Sequence, residues 1–203
     1  MDSGIRSKVL TIAACISVIL GLLIASMLIP RPMTEEQMQQ IGLYRFDQPR
    51  ELTEFTMIDH RGNEVGLSAF KGKWTLLFFG FTTCPDICPT TLGVLNEAVR
   101  DLDQPPQVVM VTVDHERDTP ERLKHYVPAF NPEFIGFAGS FDQTRRLAEQ
   151  LNVAFSKIPV GEPGTYLINH TASVILIGPE ARYAGFIKGP HRAKHIQQVL
   201  QYL

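Results

Sequence analysis

Residues 74–102 read WTLLFFGFTTCPDICPTTLGVLNEAVRDL. The opening stretch, Trp74 to Phe81, is an almost continuous apolar run, the pattern of a strand covered on both faces of a sheet. The closing stretch, Thr91 to Leu102, spaces Leu92, Leu95, Val99 and Leu102 by three and four residues, which predicts a helix with one buried face. Between them lies Cys84-Pro85-Asp86-Ile87-Cys88-Pro89, carrying the only two cysteines outside the apolar N-terminus. Pro89 has no backbone donor to lose and reads as the first helical residue, which puts Cys88 at the helix cap, where the helix field favours thiolate over thiol.

Outward from this unit the pattern repeats. Gln107 to Val113 predicts a second central strand, ending in the polar turn Asp114-His115-Glu116-Arg117-Asp118. Thr119 caps and Pro120 opens a helix through about Tyr126. Phe134 to Ala138 predicts a short strand and Gln143 to Leu151 a helix. Ser173 to Ile177 and Arg182 to Ile187 form a hairpin, closed by a helix from about Arg192 to Tyr202. Upstream, Phe55 to Ile58 and Val65 to Leu67 predict a small hairpin whose turn uses Gly62. Alternating strands and helices followed by an antiparallel hairpin define an α/β sandwich on a mixed sheet. In such sheets chemistry gathers beyond the strand C-termini, where Cys84, Cys88 and Asp114 fall.

Val9 to Ile29 is a run of 21 residues without a formal charge. At about 1.5 Å per residue it reaches about 30 Å, the length of a transmembrane helix. Arg6 and Lys8 before it, and Arg31, Glu35 and Glu36 after it, favour an N-terminus inside and the rest of the chain outside. The run is longer than the apolar region of a cleaved signal, and Pro30-Arg31-Pro32 offers no small-residue cleavage pattern. The predicted organisation is therefore a cytoplasmic N-terminus (1–8), a transmembrane anchor (9–29), a tether or short helix (30–50) and one folded domain (51–203), held single-pass in a bacterial inner membrane with the domain in the periplasm. After position 29 there are 17 basic and 20 acidic residues, so no basic field for nucleic acid is present.

Two thiols with three residues between them can converge on a soft metal ion or close a disulfide. Copper suits thiolate with imidazole, whereas zinc asks for a fourth protein ligand that the chain is short of cysteines to supply. Among six histidines, His170 is the best placed third donor, just before the Ser173 strand and after an irregular stretch containing Gly161, Pro163 and Gly164. His115, beside Asp114 at the end of a central strand, is the rival. Asp114 can orient His170 through its second ring nitrogen or cap the loop, and Asp86 can tune local charge. Arg117 and Asp118 read as a loop-stabilising pair or a partner contact. A thiol–disulfide oxidoreductase and a metal-free antioxidant enzyme or interaction domain remain open alternatives.

These motifs together, Gly80-Phe81-Thr82-Thr83-Cys84-Pro85-Asp86-Ile87-Cys88-Pro89, Thr112-Val113-Asp114-His115-Glu116-Arg117-Asp118-Thr119-Pro120 and Tyr166-Leu167-Ile168-Asn169-His170-Thr171, resemble the SCO/SenC family of membrane-anchored, thioredoxin-fold copper proteins. The resemblance covers roughly residues 50–203 and implies a thioredoxin-like fold. It also implies one copper, as Cu(I) or Cu(II), on Cys84, Cys88 and His170, and a role in assembling the dinuclear copper site of cytochrome c oxidase. Implied partners are the copper-site subunit of that oxidase, a copper donor and a thiol reductant. The alternative within the same family frame is a reductase that keeps the client's cysteines reduced, with Cys84 and Cys88 as its catalytic thiols and a Cys84–Cys88 disulfide as its oxidised form. This chain departs from the family pattern at His115, commonly proline, and at Asn169, commonly aspartate, so both residues join Asp86 and Asp114 as candidates for tuning the site.

Overall fold

The computed structural model describes residues 3–28, 33–162 and 165–203. The first two residues, the end of the expected anchor at Ile29, the Pro30-Arg31-Pro32 segment and the Pro163-Gly164 pair lie outside these. Two units divide the chain, residues 1–34 and residues 35–203.

The larger unit is a mixed α/β sandwich. Its central strand β4 (Thr75–Gly80) is buried along its whole length and pairs in parallel with β5 (Gln107–Thr112). Strand β6 (Ile135–Ala138) continues the parallel order, followed by the small hairpin β2 (Met57–Asp59) and β3 (Glu64–Val65). On its other side β4 pairs antiparallel with β9 (Val174–Ile177), then β10 (Arg182–Ile187), then β1 (Leu43–Glu51), giving the order β1-β10-β9-β4-β5-β6-β2-β3. Leu76, Leu77, Phe78 and Phe79 are essentially inaccessible, and each such side chain contributes about 1.5–3 kcal/mol on burial. The sequence places these core strands within a residue or two.

Helices α3 (Ile87–Val99), α4 (Pro120–Tyr126), α5 (Phe141–Gln150) and α6 (Ala193–Leu200) cover the sheet. The Thr119 hydroxyl accepts from the Arg122 N–H, as its predicted capping role requires. Helix α3 starts two residues earlier than expected, so Cys88 is its second residue and Pro89 its third. Proline is tolerated there because the first turn has no intrahelical acceptors for its N–H groups.

Two strand regions escape the sequence reading. Within the segment expected as a tether or short helix, Glu35–Gln40 do form a short helix, α2, but Leu43–Glu51 form the edge strand β1. The irregular stretch before the Ser173 strand is a separate antiparallel hairpin of β7 (Phe155–Pro159) and β8 (Tyr166–His170), in which Phe155 pairs with His170.

In the smaller unit, α1 (Ser3–Leu28) covers most of the expected anchor. Among the described residues, however, no helix is long and apolar enough to cross a membrane. The predicted transmembrane helix at 9–29, the membrane contact it was to make and the single-pass inner-membrane placement with a periplasmic domain are corrected accordingly.

His60 joins the β2–β3 turn to the sheet. Its backbone N–H donates to Gly136 O at 2.8 Å, and its ring Nδ1 accepts from Gly136 N–H at 3.0 Å. Burial, with help from Arg61, holds the ring's pKa below its ordinary value. The neutral form is therefore favoured on folding, and protonation at Nδ1 would remove the acceptor. Stability supplied here is complete above the unfolded value near 6.5 and declines as pH falls below it toward the lower folded value. Urea unfolding of a His60→Gln variant is expected to show less loss of stability between about pH 7.5 and about pH 5 than the parent, and an unchanged difference would remove His60 from the acid response.

Candidate metal centre

The parallel pairing of β4 with β5 brings Gly80 opposite Thr112, so the loops leaving both strands start side by side. Asp118, 1 % exposed, closes the gap between them. Its carboxylate accepts from Thr82 N–H at 2.8 Å, Thr82 Oγ1–H at 2.6 Å and Thr112 Oγ1–H at 2.7 Å. This clamp fixes the root of the cysteine loop. Gly80 meets a second demand: a Cβ there would lie 2.7 Å from the Phe78 ring and 3.2 Å from Cys88 Sγ. Absence of a side chain at the strand end makes room for the sulfur.

The two thiols are unequal. Both are unpaired, Cys84 half-buried and Cys88 fully buried. Cys84 Sγ accepts the Cys88 backbone N–H at 3.3 Å, so it is Cys84 that receives a first-turn donor of α3. Burial pushes the Cys88 thiol far above its ordinary range, and the neighbouring Cys84 adds to the effect. Cys88 Sγ lies 3.6 Å from His170 Nε2.

His170 ends β8. Its Nδ1–H donates to the carbonyl of Thr171 at 3.2 Å, which leaves Nε2 bare toward the sulfur. The Phe81 ring meets the imidazole edge-on at 5.9 Å between centroids. Burial lowers the His170 pKa, against the opposing hydrogen bond to Thr171, so the ring is held neutral. Asp114 was expected either to orient His170 or to cap the loop; in the structure the Thr171 carbonyl holds His170 Nδ1–H.

Asp114 is fully buried and directed elsewhere. It accepts from Arg117 Nε and, at 2.7 Å, from the Tyr166 hydroxyl. Tyr166 is the first residue of β8, and its ring lies between the Arg117 guanidinium at 4.0 Å and the Lys157 ammonium at 4.4 Å. Its hydroxyl also donates to Glu116 at 3.2 Å, and Glu116 pairs with Lys157 at 2.6 Å. The loop after β5 thus grips the hairpin that carries His170. Arg117 and Asp118, adjacent in sequence, belong to different devices: Arg117 holds the hairpin, Asp118 the cysteine loop.

The remaining candidates lie around this centre. Asp86 is exposed and accepts from Thr90 Oγ1–H at 3.3 Å. His115 sits 3.8 Å from Glu116 with its ring against Phe141. Asn169 is exposed, and strand alternation puts it on the face of β8 opposite His170. Among the described residues the one cluster of three or more potential metal ligands is Cys84, Cys88 and His170, with donor atoms all within 4.8 Å of one another. Using metal–sulfur and metal–nitrogen bonds of about 2.3 and 2.0 Å, trigonal donors stand about 3.7 Å apart, close to the observed sulfur–nitrogen separation. Two sulfurs and a neutral imidazole suit copper.

A thioredoxin-like sheet with a Cys-x3-Cys loop facing a histidine on a neighbouring hairpin defines a class of thiolate–imidazole copper-site proteins. The SCO1/SenC family model matches residues 46–203, and the chain belongs to that family. It is similar to a putative copper-binding protein of Stutzerimonas stutzeri, 33% identical over 168 residues covering 80% of this chain and 81% of the relative. It is also similar to the mitochondrial SCO2 homolog of Bos taurus, 35% identical over 151 residues, covering 72% of this chain and 56% of the relative. The chain therefore spans little more than half the length of that mitochondrial relative. Among solved structures, Arabidopsis thaliana ScoI with copper bound superposes with a TM-score of 0.68 at 32% identity, covering 73% of this chain and 94% of that one.

Proposed function

We propose that this protein is a copper-delivery factor that carries one copper ion on Cys84, Cys88 and His170 and passes it to the dinuclear copper site of cytochrome c oxidase, the client that family membership suggests. The observation that carries the reading is the convergence of these three donors within 4.8 Å, contributed by the cysteine loop, the first turn of α3 and the end of β8. Their chemistry divides the work. Cys84, half-buried, is the sulfur that incoming metal and an approaching client thiol can reach. Cys88, held as a thiol by burial, must surrender its proton when it binds, so uptake releases a proton. His170 offers Nε2 without rearrangement, because the Thr171 carbonyl already holds the other nitrogen's proton. Three protein donors leave the coordination sphere open for a client's sulfur to enter before the carrier's ligands leave.

X-ray absorption on the full chain, reduced and loaded with Cu(I), tests the assignment. Two sulfur neighbours and one imidazole are expected; a sulfur-only shell, or two imidazoles, would overturn it.

The unequal exposure of the thiols also supports a reductase reading. The Cys84 thiolate would attack one sulfur of a client disulfide, forming a mixed disulfide and releasing one client thiol. Cys88 would then attack Cys84 Sγ, releasing the second client thiol and leaving a Cys84–Cys88 disulfide for an external thiol reductant to reduce. Trapping the mixed disulfide on Cys84 in a Cys88→Ser variant checks this order, and trapping on Cys88 in a Cys84→Ser variant alone would reverse it.

Tyr166 sets how firmly His170 is presented. Tyr166→Ala removes both stacked cations and both hydroxyl bonds, and copper affinity is expected to fall about tenfold, as it does when groups that orient ligands are lost. Tyr166→Phe keeps the stacking and should fall between. Competition with a chromogenic Cu(I) chelator measures both, and equal affinities for all three proteins would show that the grip has no bearing on the site.

A further inference from the structure

After Glu180 the chain contains no aspartate or glutamate but four cationic residues, Arg182, Lys188, Arg192 and Lys194, in a protein whose formal net charge is -2. Arg182 pairs with Glu51 and Glu180. Lys188, Arg192 and Lys194 are exposed and form no ion pair among the described residues. Lys188 lines a cavity of about 470 Å³ together with Ile87, Thr90, Thr171, Pro190 and His191 among others, and Arg192 and Lys194 follow His191 in the chain. Ile87 precedes Cys88 and Thr171 follows His170, so the cavity shares its wall with the metal centre. Ile87 is 48% exposed, an apolar contact presented beside a buried sulfur. His191 Nε2–H donates to the Ala172 carbonyl at 2.7 Å, while its Nδ1 is buried with no hydrogen-bond partner among the described residues.

We propose that this cavity, with Lys188 on its wall and the exposed cations Arg192 and Lys194 next along the chain, docks an acidic segment of the protein that exchanges copper with this one. The charge complementarity selects an acidic partner; the shared wall places its ligands next to Cys84 and His170. Docking of this kind brings the client's sulfurs into reach of an ion held by three ligands, and attraction between opposite charges speeds encounter in a salt-dependent manner. The identity of the partner as a copper acceptor or donor rests on the copper reading, but the docking itself is independent of metal.

The test uses the metal-free full chain and two fluorescent twelve-residue peptides without cysteine, one carrying four glutamates and the other four lysines. The glutamate peptide is expected to bind at least about tenfold tighter at low salt, the preference shrinking as salt screens it. Reversing charge in the triple variant K188E/R192E/K194E should abolish the preference. Single K188Q and R192Q changes, at exposed positions, keep the test decisive where the triple variant fails to fold, each reducing the preference severalfold. Equal binding of the two peptides, or indifference to these substitutions, would overturn the proposal. So would binding to phosphatidylglycerol–phosphatidylcholine vesicles with none to the glutamate peptide, which would make this surface a lipid contact. A protein that binds the glutamate peptide but not copper would instead refute the copper reading and leave the docking surface standing.

Discussion

Replacing Cys88 with serine is expected to lower copper affinity by more than about 100-fold, since even groups that merely orient a ligand cost about 10- to 100-fold when removed. Cys88 is the most constrained of the three donors, fully buried, lodged in the space left by Gly80 and 3.6 Å from His170 Nε2. A hydroxyl in its place is smaller and is a poor ligand for a soft ion. The remaining sulfur, on the cysteine loop, and the imidazole, at the end of β8, have no third donor to hold the ion between them. Cys84→Ser should weaken binding strongly as well, and His170→Ala at least about tenfold, because two sulfurs still converge in its absence. Competition titrations on the reduced full chain measure all three. Parent-like affinity in any one would remove that residue from the ligand set.

Asp118→Ala is expected to produce the largest loss of stability, about 3 kcal/mol or more, through three donors stranded at once. Thr82 N–H, Thr82 Oγ1–H and Thr112 Oγ1–H converge on this carboxylate, which is 1 % exposed. Loss on that scale is a large fraction of the about 5–15 kcal/mol available to a domain. Because Thr82 anchors the root of the cysteine loop, copper affinity should fall with stability. Asp118→Asn keeps the shape but replaces one acceptor oxygen with donors, so its effect should be smaller in both readouts. Urea unfolding followed by hydrogen exchange at residues 82–88 distinguishes the outcomes. Fast exchange confined to that loop places the damage there, and parent-like protection with parent-like stability would deny Asp118 its clamping role.

The parts of the molecule that could be read from residues alone are those where burial writes a pattern. Strands β4 and β5 are buried throughout and appear as unbroken apolar runs; α4 begins where a threonine cap is followed by proline. The two missed strand regions have no such pattern. Strand β1 is mostly exposed, contains Pro49 and belongs to the sheet through its pairing with β10, an edge position that places little demand on composition. The β7–β8 hairpin is held to the loop after β5 by Tyr166, Arg117 and Lys157, long-range contacts that leave no periodicity behind. The apolar run at 9–29 shows the opposite failure: composition suggested a span that the described part of α1 does not supply.

Local chemistry thus determined the central sheet, the position of the cysteine loop beyond a buried strand and the residue types able to hold a soft ion, because strand burial and helix capping act over a few neighbouring positions. Tertiary structure alone decided that the Thr171 carbonyl rather than Asp114 aligns His170, that Asp114 and Asp118 serve different loops, and that Cys84 rather than Cys88 receives the helix N–H. Each of those outcomes depends on which hydrogen-bonding groups arrive within about 3 Å of one another after distant segments pack, a distance that spacing along the chain does not encode.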